Sequence, residues 1–214
     1  MAFDFKKEFK EYYAPGKKPT LVTIPSATFL AVTGRGDPNE PDGDYKSAIA
    51  LLYGVAYTIK MSKLGKTHLP GYFDYVVPPL EGFWRAPTAT GLFVEDKSLL
   101  EWRSVIRAPE FVDANVLRWA REEAARKKDG DFARVELITL EEGLCAQALH
   151  VGSYDDEPTT IAAIREFAQA QGYAFDLDGE RRHHEIYLSD PRRVAPEKLK
   201  TIIRIPIRPA RRAS

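Results

Sequence analysis

The sequence predicts an α+β protein made of two fused strand-helix-strand-strand repeats with pseudo-twofold symmetry and a ligand cleft between them. Three observations support this. Strand-like and helical periodicities run strand, helix, strand, strand, then a linking helix, then the same order again. Local phrases recur: Glu81, Phe83 and Pro87 return as Glu185, Tyr187 and Pro191 at an offset of 104, and "SVIRAP" (104–109) returns as "TIIRIP" (201–206). The length, 214 residues with 44% hydrophobic and 29% charged, suits one large domain or two small units sharing a core.

The elements follow in order. Phe3, Phe5, Phe9 and Tyr12 give residues 1–19 the pattern of a short amphipathic arm ended by Pro15-Gly16. "TLVTIPSATFLAVTGRG" is β-branched and interrupted at Pro25, so it reads as one strand or two short ones. "DPNEPDGD" is a loop whose Asp44 can cap a helix. That helix carries Tyr45, Ile49, Leu52, Ala56 and Ile59 at helical spacing and stops at Gly65. "YFDYVVPPLEGFWRA" and "SLLEWRSVIRAP" read as two strands joined by "PTATGLFVEDK". "DANVLRWAREEAARKK" is acidic early and basic late, as the helix dipole favours. The second unit opens with "ARVELITLEEGLCAQALHVGS" as strand. "YDDEPTTIAAIREFAQAQG" follows as helix, with Pro158 in its first turn and Gly172 as its stop. "HHEIYLSD" and "LKTIIRIPI" complete it. The expected organisation is an arm at 1–19 and a domain at 20–207, followed by a basic tail at 208–214. Within the domain, repeat one spans 20–110, the linking helix 111–128 and repeat two 132–207.

Composition excludes several classes. Lys plus Arg and Asp plus Glu both number 31, so there is no basic excess to meet a nucleic acid. The N-terminus lacks the apolar core of a signal peptide, and no apolar run is long enough to span a membrane. The single cysteine, Cys145, cannot form an intrachain disulfide and lies in an apolar strand, where it reads as a small buried hydrophobe. These features predict a cytoplasmic protein.

In each repeat the helix covers one sheet face. Joining two repeats side by side leaves the uncovered faces as a shared groove. With Ile186 and Leu188 assigned to the helix-covered core, alternation turns Glu185, Tyr187 and Ser189 toward that groove. By the repeat, Glu81, Phe83 and Arg85 face it too, while Gly82 and Trp84 face the helix. Trp84 reaches the groove only if the strand bulges at Gly82. His183 and His184 point to opposite faces and have no ligand spacing, so no metal site is expected. No phosphate loop, nucleophile elbow or paired Cys/His nucleophile occurs, and no cofactor is expected.

The phrases "VVPPLEGFWRA", "LEWRSVIRAPEFV" and "HHEIYLSDPRRVAPEKLKTIIRIPI" resemble the GyrI-like small-molecule-binding family, also seen as the effector-binding domain of multidrug-responsive transcription regulators. The resemblance covers residues 20–110 and 130–207. It implies paired repeats with a cleft at their junction, a glutamate in that cleft matched by Glu185, and aromatic side chains around it. About 20 residues precede the domain, too few for the helix-turn-helix of the regulators. A stand-alone subset that looks similar is associated with hydrolysis of cyclopropane-bearing DNA-alkylating natural products.

Glu185 is thus either a rim carboxylate paired with an arginine or a half-buried carboxylate favouring a cation or developing positive charge. Tyr187 accompanies it. Phe83, Trp84, Trp102, Tyr53 and Tyr57 supply aromatic walls or pack the core; Tyr53 and Tyr57 share one helix face. The expected ligand is an amphipathic aromatic molecule, cationic or electrophilic, bound for sequestration or sensing. The alternatives are a hydrolase that opens strained rings, with Glu185 and Tyr187 as catalytic residues, and a module binding a protein partner.

Overall fold

In a computed structural model, the described residues are 2–65, 67–88, 92, 95–177 and 180–210. They contain nine strands: β1 (Thr20–Ile24), β2 (Ala27–Arg35), β3 (Leu80–Arg85), β4 (Glu101–Arg107), β5 (Glu136–Leu140), β6 (Gly143–Val151), β7 (Tyr173–Phe175), β8 (His183–Tyr187) and β9 (Lys200–Pro209). Five helices accompany them: α1 (Phe5–Glu8), α2 (Lys10–Tyr13), α3 (Asp44–Met61), α4 (Ala114–Ala125) and α5 (Glu157–Ala170). Among these residues no helix is long and apolar enough to cross a membrane.

The sheet runs β1-β6-β9-β8-β3-β4-β2-β5, with β7 added on β9, and every pairing is antiparallel. Its connectivity reads alike from either end, with β3 beside β8 at the centre. β1 and β2 lie far apart in this order, yet only Pro25 and Ser26 join them, a link that spans roughly 11 Å at full stretch. Glu141 and Glu142 join β5 to β6 in the same way. The sheet must therefore roll until its two ends meet, which gives it an inner and an outer face.

The outer face carries the helices. α3 and α4 cover Leu30, Val32, Trp84, Trp102 and Ile106, while α5 covers Ala146, Ala148, Ile203 and Ile205. The inner face is filled by its own side chains and closed by the N-terminal arm. Phe5 and Tyr13 bury against Ile186, Ile202 and Tyr75, and Phe83 packs with Phe29, Ala31 and Val105. This corrects the groove expectation. The helix-free face is not an open groove, and Ile186 packs beneath the arm rather than beneath α5.

Other departures are local. The stretch at 20–36 forms two strands, one of the two readings its sequence allowed, and 133–153, read as one strand, also forms two, with Gly143 in a left-handed backbone (φ +63°). β7 was not anticipated. Asp44 does not cap α3; it begins the helix and pairs through both oxygens with Arg134 at 2.6 and 2.9 Å. Arg208 and Pro209 belong to β9, not to a tail, and residues 211–214 lie outside the described residues. The predicted linker at 87–97 also lies partly outside them. Cys145 is buried, as its apolar surroundings implied.

Candidate functional site

Register decides which side chains meet. In the central pair Gly82 stands opposite Glu185 and Trp84 opposite His183, while Gly82 faces Ser104 and Trp84 faces Trp102 on β4. All of these project from the outer face, into the gap between α3 and α5. Glu185 and Tyr187 therefore share a face and a hydrogen bond, but on the side of the sheet the helices occupy. Glu81, Phe83 and Arg85 project to the inner side. Phe83 stacks on His184 there, ring centroids 3.9 Å apart, and does not meet Glu185. Trp84 reaches the cleft with no bulge, because β3 keeps an unbroken register from Leu80 to Arg85.

A hydrogen-bond chain crosses the cleft floor. Trp84 Nε1 donates to Tyr187 Oη (2.9 Å), which donates to Glu185 Oε2 (2.8 Å). The chain lies directly over Gly82: a Cβ there would sit 2.6 Å from Trp84 Nε1 and 2.9 Å from Tyr187 Oη. Tyr45, in the first turn of α3, packs on Trp84 and Trp102 at 5.2 Å, with its hydroxyl toward Tyr187 and Ser104. Tyr154 sets its ring edge-on to Tyr187 at 5.9 Å and forms the exposed rim. Trp102 is fully buried behind Tyr45, so it backs the cleft rather than lining it. Tyr53 is half-buried beside Tyr57, and Tyr57 is 52% exposed on the outer side of α3.

The main chemical feature was missed in the sequence. Glu157, the first residue of α5, is only 6% exposed, and its carboxyl hydrogen-bonds Glu185. Burial raises the pKa of both carboxyls. The Tyr187 hydrogen bond offsets part of this for Glu185, whereas the neighbouring Glu185 charge raises Glu157 further. Two close carboxyls in a poorly solvated site share one proton, and Glu157, whose pKa is raised further, holds it more firmly. The result is a carboxylic acid beside a carboxylate. Glu157 Oε1 has no hydrogen-bond partner among the described residues. Tyr45 and Glu157 both stand in the first turn of a helix that ends over the central strands. A reading that placed the cleft at the helix N-termini would have found both.

The two histidines face opposite ways. His183 lies 3.7 Å from Glu185 Oε1, and burial pushes its pKa down to about 3, so it stays neutral beside the carboxyl pair. His184 points inward between Glu81 and Glu142, each 2.9 Å away, in an ion-pair contact. Arg204 continues the network to Glu142 at 2.9 Å, and Tyr13 donates to Glu81 at 3.0 Å. Two acids and two bases thus compensate one another beneath the arm, as buried charges require.

The fold is that of an α+β domain whose central strands carry a carboxyl pair among aromatic side chains. The GyrI-like small molecule binding domain matches residues 120–208. A hydrolase from Listeria innocua is 48% identical with TM-score 0.88, and the match covers 96% of this chain and 100% of that one. An uncharacterized conserved protein from Listeria innocua, also 48% identical, has TM-score 0.91 over the same shares. The C-terminal domain of EcmrR shares the fold at 11% identity and TM-score 0.52, over 90% of this chain and 98% of that one. No curated protein matches the chain. The chain belongs to the GyrI-like family.

Proposed function

We infer that the protein binds an aromatic electrophile between α3 and α5 and hydrolyses it, opening a strained ring such as cyclopropane. The observation that carries this reading is the Glu157–Glu185 pair, one acid and one base beside an aromatic wall. Simple sequestration of a cation needs a carboxylate but not a second carboxyl that holds its own proton. The 48% identical relative, a hydrolase from Listeria innocua, supports the same reading.

The chemistry follows from the protonation states. Glu185, oriented by Tyr187, accepts a proton from water as the water oxygen bonds to a ring carbon. The ring carbon–carbon bond breaks, and its electron pair passes into the conjugated system of the substrate, ending on an oxygen. That oxygen takes a proton from Glu157, directly or through Tyr187. Water has then added across the broken bond and both carboxyls have exchanged states. Trp84, Tyr45 and Tyr154 hold the planar substrate by stacking.

The test is incubation with a cyclopropane-bearing aromatic electrophile, followed by mass spectrometry for a product heavier by one water. Catalytic product in the wild type, abolished in Glu185→Gln and in Glu157→Gln with binding retained, supports the reading. Stoichiometric retention of unchanged ligand by all three proteins replaces it with sequestration.

A further inference from the structure

On the inner face, at the end of the sheet away from the arm's contacts with Ile186, three arginines converge from adjacent strands. Phe83 stands opposite Arg103, Arg85 stands opposite Glu101, and Arg182 immediately precedes β8. Alternation along β8 puts Arg182 on the side of His184, opposite His183 and Glu185, so this cluster is separated from the cleft by the sheet itself.

Arg182 is 8% exposed, yet its Nε and Nη1 have no hydrogen-bond partner among the described residues. Among the described residues its nearest carboxylate, Glu101, stays at 3.9 Å, and Glu101 also serves Arg85 at 3.7 Å. Arg103 leans on Glu180 at 3.2 Å, an acid whose side chain is 80% exposed and so weakly held. Three guanidiniums thus face two carboxylates, one of them solvated. A buried guanidinium cannot shed its proton to escape the desolvation cost, as a lysine can, so it needs an anionic partner. Among the described residues none lies within hydrogen-bonding distance of its Nε or Nη1.

We propose that Arg182, with Arg103 and Arg85, forms a binding site for an oxyanion, a carboxylate or a phosphate group. The site is independent of the hydrolytic reading, because it shares no side chain with the cleft.

The experiment titrates the full chain with inorganic phosphate and, separately, with acetate at constant ionic strength. The Nε–H signal of Arg182 is followed by NMR and the melting temperature in parallel. A saturable shift of that signal with a rise in melting temperature is expected. The stronger of the two anions identifies the ligand as a phosphate ester or a carboxylate. Arg182→Gln should weaken binding about 10–100-fold, the loss of a charge-assisted contact, and Arg103→Gln by less. Lys198→Gln, an exposed basic residue elsewhere, should leave binding unchanged. If Arg182→Gln fails to fold, the wild-type Nε–H titration and Arg103→Gln decide. No saturable shift with either anion, or equal binding by Arg103→Gln and wild type, overturns the proposal.

Discussion

Replacing Gly82 by alanine sets two opposing effects against each other. The backbone at Gly82 has no left-handed φ, so alanine fits it, and strand entropy alone favours alanine by roughly 0.5–1 kcal/mol. Space argues the other way. The new Cβ would meet Trp84 Nε1 at 2.6 Å and Tyr187 Oη at 2.9 Å, where carbon contacts prefer about 3.5–4 Å. Both groups would have to move by about 1 Å, and they are tied to each other and to Glu185. Overpacking of this kind costs about 1–3 kcal/mol, and the lost Trp84–Tyr187 hydrogen bond about 1 kcal/mol more. The steric effect wins, and the variant should be less stable by about 1–3 kcal/mol. Urea denaturation followed by tryptophan fluorescence measures this as a lower midpoint at unchanged slope. The same substitution made in Tyr187→Phe should cost less, because the 2.9 Å contact is gone. A Gly82→Ala protein as stable as wild type would show that the Trp84–Tyr187–Glu185 chain is not held over Gly82, and the account of the cleft floor would fail.

In a carbon-detected NMR titration, the Glu185 carboxyl should ionise above the usual carboxylate range. In Glu157→Leu it should ionise at still higher pH, because the protonated Glu157 carboxyl that favours the Glu185 carboxylate is gone; an unchanged titration refutes the shared proton. The inner-face network should add stability in a pH window. Burial opposes ionisation of Glu142, but His184 and Arg204 bring its pKa down to about 2, so its contribution is present above the ordinary value of 4.5 and lost as pH falls toward 2. His184 is raised by Glu142 and Glu81 against the effect of burial, so its contribution is complete below 6.5 and lost as pH rises through its folded value. Urea midpoints should therefore peak between these limits, and His184→Gln should flatten the alkaline limb; an unaltered limb would refute it. Deleting residues 1–14 exposes the surfaces that Phe5 and Tyr13 bury and leaves Glu81 without its tyrosine. A loss above about 4 kcal/mol is expected from two buried aromatics, and a full-length-like melt would contradict the arm's place in the core.

Alternation, turn residues and element order carry the two helices Asp44–Met61 and Glu157–Ala170, the strands on either side of each, and the α+β class in the sequence itself. The opposition of His183 and His184 was legible too, because a period of two is a property of the extended chain. Which face became the cleft was not legible. The offset of 104 equates Glu81 with Glu185, yet the register pairs Gly82 with Glu185 and sends Glu81 to the other face. A one-residue slip inverts every side chain, and no local pattern reveals it when both faces end up buried. The closing strands match at a different offset, 97 (204 − 107), and keep their phase: Arg107 and Arg204 both face inward. The partnership of Glu157 with Glu185 lay further out of reach. It joins residues 28 positions apart through the placement of a helix N-terminus over the central strands, a contact set by the packing of α5 and the rolling of the sheet. The sequence determined which groups the protein owns; only the tertiary structure decided which of them would be buried together, and burial is what raises the pKa of two otherwise ordinary glutamates.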